Sequence, residues 1–301
     1  MAKKILITGA DGQLGEALKR KLSDQLHVFP TSRTSNKSES RHNILNLDIT
    51  ERSDVEKTIN EIKPDIIINC AAYTDVDGNE TNKKKAHMVN VVGLQNLIHA
   101  SDRDTYIIQI SSDYVFDGNN GPYKEGDHTF PLNYYGKTKL EAENILRGSQ
   151  LKYLIIRTNV LYSEDLICKG NFFAWVYKSL NNNKAISVVN DQISNPTYVL
   201  HLADVIFQCL ILNTQGIYHY GSDNYLSRYE FAMSIAEYFE FNKNLIKSID
   251  TEQLTKNIPT YIAKRPKHSG LKIFKIEDEL GLTAYSMDYS LSILKNSIVA
   301  A

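Results

Sequence analysis

A short apolar run, Ile5-Leu6-Ile7, stops at Thr8-Gly9-Ala10-Asp11-Gly12-Gln13-Leu14-Gly15, and this junction constrains the fold more than any other stretch of the chain. An apolar run of that length closed by glycine reads as a buried strand. Behind it, Glu16-Ala17-Leu18-Lys19-Arg20-Lys21-Leu22 reads as an amphipathic helix. A strand, a glycine turn and a helix together form a cradle for a pyrophosphate. Gly9 makes the tight turn, Gly12 lets the backbone approach the phosphates, and Gly15 lets the helix pack close on the strand. The helix N-terminus adds N–H donors and the positive end of its dipole. Glycines at this spacing also occur in ordinary strand-helix turns, so the flanking strand and helix carry the reading. Gly9, Gly12, Gln13, Leu14 and Gly15 are the expected contacts to a dinucleotide.

A second motif adds chemistry. Tyr135-Gly136-Lys137-Thr138-Lys139 sets a phenol and an ammonium four residues apart, on one face of a helix. Upstream, Ile107-Ile108-Gln109-Ile110-Ser111-Ser112 is an apolar strand running into two hydroxyls. In a doubly wound sheet the carboxyl ends of strands face the cofactor crevice. An ordinary surface pair near a helix start is the alternative for Tyr135 and Lys139. Taken in this order, the glycine turn, strand-end serine and Tyr-x-x-x-Lys resemble the extended short-chain dehydrogenase/reductase superfamily. A phenol donates a proton poorly at neutral pH unless its pKa falls, and Lys139 is expected to lower it. Lys139 is also expected to bond a cofactor ribose hydroxyl. Ser112 would hold and polarise a carbonyl, while Tyr135 gives the proton in reduction or takes it in oxidation.

Strands expected at Ile5–Ile7, His27–Phe29, Ile44–Leu47, Ile66–Asn69, Tyr106–Ile110 and Tyr153–Ile156 alternate with helices at Val55–Lys63, Lys84–Ser101 and Thr138–Arg147. That alternation argues for an α/β, Rossmann-type doubly wound parallel sheet. Thr31–Asn43 reads as a polar loop. After Arg157 the rhythm changes. The expected division is a cofactor-binding domain over 1–160 with a return segment at about 186–212, and a smaller substrate-binding domain over 161–185 and 213–301. Lys and Arg number 34 against 35 Asp and Glu, a net charge of −1, which argues against a nucleic-acid or membrane partner. Lys83-Lys84-Lys85 reads as a solvated helix face. No apolar run nears the ~18 residues of a membrane span, and only three apolar residues follow Met1-Ala2-Lys3-Lys4, too few for a signal peptide. Cys70, Cys168 and Cys209 are widely spaced and fit reduced thiols better than disulfides or a metal site. A soluble, cytoplasmic protein without a metal is expected.

A tighter resemblance is carried by Ser111-Ser112-Asp113-Tyr114-Val115-Phe116-Asp117-Gly118, Pro131-Leu132-Asn133-Tyr134-Tyr135-Gly136-Lys137-Thr138-Lys139 and Ala71-Ala72-Tyr73-Thr74-Asp75-Val76-Asp77. Asn190-Asp191-Gln192 with Pro196-Thr197, and Arg265-Pro266 with Ser269 and Leu271, belong to the same pattern. The chain resembles the dTDP-4-dehydrorhamnose reductase family, which reduces the 4-keto group of a nucleotide-linked 6-deoxy sugar with NAD(P)H. The resemblance implies that Ser112, Asp113 and Tyr135 contact the sugar and that Arg265 reaches the substrate diphosphate; it leaves a homodimer open. It also implies cofactor contacts at Asp48 and Ile49, and at Ala71, Ala72 and Tyr73. Asn90 matches an asparagine that orders a helix and a proton-relay water, the alternative being a helix-surface amide. Asp11 is expected to point outward or cap a helix. Where many NAD enzymes carry an acid after the second strand, this chain has Thr31-Ser32-Arg33, with Lys37 close behind. Hydroxyl and guanidinium suit a 2′-phosphate, so NADPH is expected ahead of NADH; a solvated loop arginine is the alternative.

The chain departs from the family at Asn159-Val160, where Ser-Trp is common, at Gly78-Asn79-Glu80, at Asn195 and at His268-Ser269-Gly270. An aromatic wall of the sugar site is therefore expected to be lost. A dehydratase would carry Glu after Asp113; here it is Tyr114. An epimerase needs only Ser112, Tyr135 and Lys139 and stays open. So does a regulatory role, because the chain also resembles the β subunit of methionine adenosyltransferase.

Overall fold

The structure, a computed structural model, describes residues 3–23, 25–33, 44–168, 170–258 and 263–299. Lys37, singled out with Arg33, lies outside the described residues. The strands are β1 (Lys4–Thr8), β2 (His27–Ser32), β3 (Leu45–Asn46), β4 (Ile66–Asn69), β5 (Tyr106–Ser112), β6 (Lys152–Thr158), β7 (Leu161–Tyr162), β8 (Ile186–Val189), β9 (Ile193–Ser194), β10 (Thr197–Tyr198), β11 (Gly216–His219), β12 (Leu226–Ser227) and β13 (Ile246–Ile249). The helices that position the site are α1 (Gln13–Leu22), α2 (Arg52–Ile62), α3 (Val76–Thr81), α4 (Lys83–His87), α5 (Gly93–Ala100), α6 (Tyr134–Gly148), α7 (Phe172–Asn181), α8 (Val199–Leu212) and α9 (Arg228–Tyr238).

Seven strands form the central sheet in the order β11-β6-β5-β4-β1-β2-β3, every neighbour parallel. Parallel strands buried on both faces need unbroken apolar runs; β4, Ile-Ile-Ile-Asn, is buried at every position. One face packs Ile5, Ile7, Ile66, Ile68 and Ile108 against Leu14, Leu18 and Leu22 of α1 and Leu202, Val205 and Ile206 of α8. The other packs Leu6, Ile67, Ile107 and Ile155 against α2, α5 and α6. The strand order reverses at β1, which pairs with both β2 and β4, so a crevice opens beyond their carboxyl ends.

A separate core collects Tyr162, Phe173, Val176, Ile186, Tyr198, Phe231, Ile235, Leu291 and Leu294, all from the second half of the chain. Two expectations need correction here. Ile186–Val189, expected in the return segment, pairs with Ile246–Ile249 and belongs to this second core; α8 alone makes the return. Gly216–His219, expected in the smaller domain, pairs with β6 as the seventh strand of the central sheet. The cause is geometric: α8 lies on the sheet beside α1, and a chain leaving a crossover helix lands parallel to the free edge of β6.

Between α4 and α5 the helix passes through a π turn at Met88–Val92. The wider turn seats Asn90 inward at 3% exposure, which removes the helix-surface alternative.

Candidate active site

The crevice holds a continuous trough. Gly9, Gly12, Cys70 and Ala72 line both of its ends. Gly9 has φ +63°, and a Cβ there would lie 2.8 Å from the Ala71 backbone. At Gly15 a Cβ would meet Gly9 O at 2.3 Å and Ala10 Cα at 2.6 Å. Only bare backbone closes this turn, and no side chain caps the first turn of α1. An open helix start above a glycine cradle fits a pyrophosphate, so the residues present fit a dinucleotide.

Ser32, Arg33, Asp48, Ile49, Ala71, Ala72 and Tyr73 gather along one end of the trough. No acid follows β2. Asp48 accepts from Thr50 N at 2.9 Å and Thr50 Oγ1 at 2.7 Å, which turns its carboxylate back on its own loop. Asp11 sits exposed at the rim, the outward placement that was one of the two expected, and does not cap α1. Lys83, Lys84 and Lys85 are all exposed, as expected of a solvated face, and Lys85 also lines this end of the trough with its Nζ 4.5 Å from the Tyr73 ring centre. Asn90 lines neither end. Its Oδ1 accepts from Tyr73 N at 2.7 Å and its Nδ2 donates to Thr138 Oγ1 at 2.9 Å, tying the trough floor to α6.

The other end is a cleft of about 380 Å³ that brings Gln13, Leu14 and Gly15 together with Ser112, Asp113, Tyr135 and Lys139. Asn133 starts α6 by accepting from Gly136 N at 2.8 Å, which puts Tyr135 in the first turn. Lys139, 4% exposed, donates from Nζ to Ile110 O at 2.6 Å. Burial pulls its pKa down to about 8 against the opposing carboxylate of Glu143. Burial and then the Asp113 charge push the Tyr135 phenol above its usual range, while a hydrogen bond from Ser112 pulls it back. The expectation that Lys139 lowers Tyr135 therefore needs correction. The ammonium is turned to a backbone carbonyl, and dehydration of the phenol outweighs it.

Asp113, 2% exposed, accepts from Ser112 Oγ at 2.9 Å and from Ser269 Oγ at 2.5 Å. Burial raises its pKa to about 6, with both serines opposing.

Sequence reasoning missed the frame behind α6. Glu143 accepts from Ser111 Oγ at 2.5 Å and pairs with Arg157 at 2.7 Å; both charges are buried. The signal was available, because Glu143 stands one turn after Lys139 and Arg157 interrupts the apolar strand β6.

The rest of the cleft lining comes from Thr158 at the end of β6, Asn159 and Val160 just after it, Phe172 at the start of α7, and Arg228 at the start of α9. Val160 has φ +41°, a strained conformation for a β-branched residue. The expected loss of an aromatic wall is made up in part by the rings of Phe172 and Tyr114 lining the same cleft. Neither Phe172 nor Arg228 was singled out from sequence.

Arg265 is not on this wall, which corrects the expectation that it faces the cleft. Its guanidinium meets Asp77 at 2.5 and 3.1 Å and donates to Ala263 O at 2.9 Å. It lines a neighbouring depression with Lys267 and His268. The Asp77 carboxylate, presented by α3, holds it there.

Among the described residues, no group of three or more His, Cys, Asp or Glu could hold a metal ion, and no helix is long and apolar enough to cross a membrane. The model of the RmlD substrate binding domain matches residues 3–297. The chain is 36% identical to a dTDP-4-dehydrorhamnose reductase of Aggregatibacter actinomycetemcomitans over 93% of its own length and 94% of that protein's. It is 31% identical to the methionine adenosyltransferase 2 subunit beta of Xenopus tropicalis, covering 91% of this chain and 82% of that protein. Among solved structures, a dTDP-4-dehydrorhamnose reductase from Bacillus anthracis in complex with NADP superposes with a TM-score of 0.88 at 32% identity, covering 99% of this chain and 100% of the other. With its glycine cradle, its Ser-Tyr-Lys cleft and a match running almost end to end, the chain belongs to the RmlD substrate-binding-domain family.

Proposed function

We propose that this protein reduces the 4-keto group of a nucleotide-linked 6-deoxy sugar with NADPH, as its dTDP-4-dehydrorhamnose reductase relatives are named for doing. The observation that carries the reading is the placement of Ser112, Tyr135 and Lys139 in one cleft with the glycine turn. The central sheet with α1–α6, α8 and β11 would carry the cofactor, and the elements of the second core the sugar. A cytoplasmic setting goes with this reading.

A bound reduced nicotinamide supplies the hydride. Tyr135 supplies the proton to the carbonyl oxygen, and the raised phenol pKa keeps it protonated at neutral pH. Ser112 now gives its proton to Asp113 and must rotate it to the carbonyl oxygen to polarise the substrate. Lys139 spends one of its three N–H donors on Ile110 O, leaving two for a ribose hydroxyl.

The test is NADPH oxidation in the presence of dTDP-, UDP-, GDP- and CDP-linked 4-keto-6-deoxy sugars. Stoichiometric consumption with one of them is expected; none with any overturns the proposal. An epimerase would recycle its cofactor and show no steady consumption. Kinship with the methionine adenosyltransferase β subunit favours a second, regulatory reading. Capture of a synthetase partner together with no keto-sugar turnover would select it.

A further inference from the structure

Lys139 is an ammonium taken almost wholly out of water, and its hydrogen bond goes to a neutral carbonyl, Ile110 O. A buried ammonium with no anion in reach gives up its proton. One turn further along the same face of α6 stands Glu143, at 0% exposure. Its carboxylate is held from two strands. Oε1 accepts from Ser111 Oγ of β5 at 2.5 Å and from Arg157 Nε of β6 at 2.9 Å, and Oε2 accepts from Arg157 Nη2 at 2.7 Å.

Arg157 is itself fixed. It donates from Nη1 to Glu125 O at 3.2 Å, meets His219 Nε2 at 3.3 Å, and its guanidinium carbon lies 5.1 Å from the Phe116 ring centre. Burial and the Arg157 charge push His219 down to about 3, so the imidazole adds no charge to this frame. Two cations, Arg157 and Lys139, therefore share one buried carboxylate. Glu143 and the Cys70 thiol are the groups whose charges act on Lys139. Burial pushes Cys70 up to about 12, which leaves it neutral and Glu143 as the anion. The other charged groups that face α6 are engaged elsewhere: Asp113 by Ser112 and Ser269, Glu80 of α3 by Tyr134 N, and His87 of α4 by the exposed Glu141.

We propose that Glu143 is a positioning residue for the reaction: clamped by Arg157 and Ser111, it is the buried counter-ion that keeps Lys139 an ammonium in the closed cleft. This rests on the reductase reading for the part Lys139 plays in turnover, whereas NADP⁺ binding reports on Lys139 without turnover. NADP⁺ affinity and kcat/KM for keto-sugar reduction are measured from about pH 6 to about pH 10, with thermal midpoints in parallel. The chains compared are the parent, Glu143→Gln, Glu143→Asp, the double variant Glu143→Gln with Arg157→Met, and Glu141→Gln.

In the parent chain both quantities should decline as pH rises through about 8, where Lys139 loses its charge. Removing the anion destabilises the charged form, so in Glu143→Gln the decline should move to lower pH by about one unit. The ratio of kcat/KM at pH 8 to that at pH 6 should then fall roughly fivefold. Glu143→Asp should keep the decline near the parent position, and Glu141→Gln should leave it in place. Glu143→Gln leaves the Arg157 charge buried and unpaired and should lower the midpoint. The double variant removes both charges, so it should recover stability yet keep the decline at the lower pH. A purely structural pair would lower the plateau without moving the decline. An unmoved decline in Glu143→Gln or in the double variant, or an NADP⁺ affinity of the parent chain that is flat across the range, overturns the proposal. A shifted decline in NADP⁺ binding without turnover of any keto sugar would sink the reductase reading and leave the role of Glu143 standing.

Discussion

Gly9 to Gly15, Ser32-Arg33, Asp48-Ile49 and Ala71–Tyr73 line the cofactor trough from strand ends of a single sheet. The facing wall takes Val160, Phe172 and Arg228 from three segments held by the second core. The first wall is mostly backbone, and its shape follows from where glycines and small residues fall. The second is mostly side chains, and its shape follows from how α7 and α9 pack. Backbone recognition is prescribed locally and side-chain recognition globally, so one fold can keep its cofactor while its substrate wall varies.

Four measurements would break or sharpen this contrast. The largest effect is expected at the seam between the walls. Tyr135→Phe should keep its thermal midpoint and NADP⁺ affinity and lose roughly 10²–10⁴-fold in reduction rate, the usual worth of a positioned acid. A parent-like rate would mean that the proton comes from elsewhere.

Next, Gly15→Ala tests the backbone wall, because the added Cβ meets Gly9 O at 2.3 Å and Ala10 Cα at 2.6 Å, neither of which can step aside. Overpacking of this kind costs about 1–3 kcal/mol. Calorimetry should therefore show a lower midpoint, and NADP⁺ affinity weakened by roughly tenfold or more. Unchanged binding would mean that the close approach of α1 to β1 is not what shapes the site.

A smaller change is expected for Arg33→Ala, which should narrow the preference for NADPH over NADH by about tenfold, the low end for a charge-assisted bond because Arg33 is exposed. Adding salt should narrow the parent chain's preference in the same direction. Equal affinities for the two cofactors in the parent chain at low salt would leave Arg33 a surface residue.

The smallest effect concerns pH. Lys139 carries its charge below about 8 and loses it as pH rises through that value. If the ammonium serves the reaction, kcat/KM should fall to about half its plateau near pH 8 and decline further above it. A profile flat to pH 9.5 would place the ammonium outside the rate-determining interactions.

The parallel sheet was legible because buried parallel strands demand apolar runs and the crossovers between them demand amphipathic helices. Ile66–Asn69 matches its expected bounds, and the helix expected at Thr138–Arg147 extends back to Tyr134 because Asn133 caps it. Gly9–Gly15 and Tyr135–Lys139 were legible for the same kind of reason, since spacing along a turn or a helix determines proximity without reference to the rest of the chain. Arg265 misled because a cation in the right motif gives no sign of its partner: Asp77 lies 188 residues away in sequence. Arg228 was silent because it follows Ser227 at a helix start, where the local signal is the Ser227–Glu230 capping box.

By itself, then, the sequence determined the sheet, the cofactor trough and the pairing of phenol with ammonium, all of which follow from periodicity and from backbone freedom within a few residues. The tertiary structure alone decided that β11 joins the sheet, that Lys139 turns to Ile110 O, that Arg265 is spent on Asp77 and that Arg228 faces the cleft. The first follows from where the α8 crossover delivers the chain, and the others from how distant segments pack and which charges then find partners, a choice that desolvation enforces only when the core is closed.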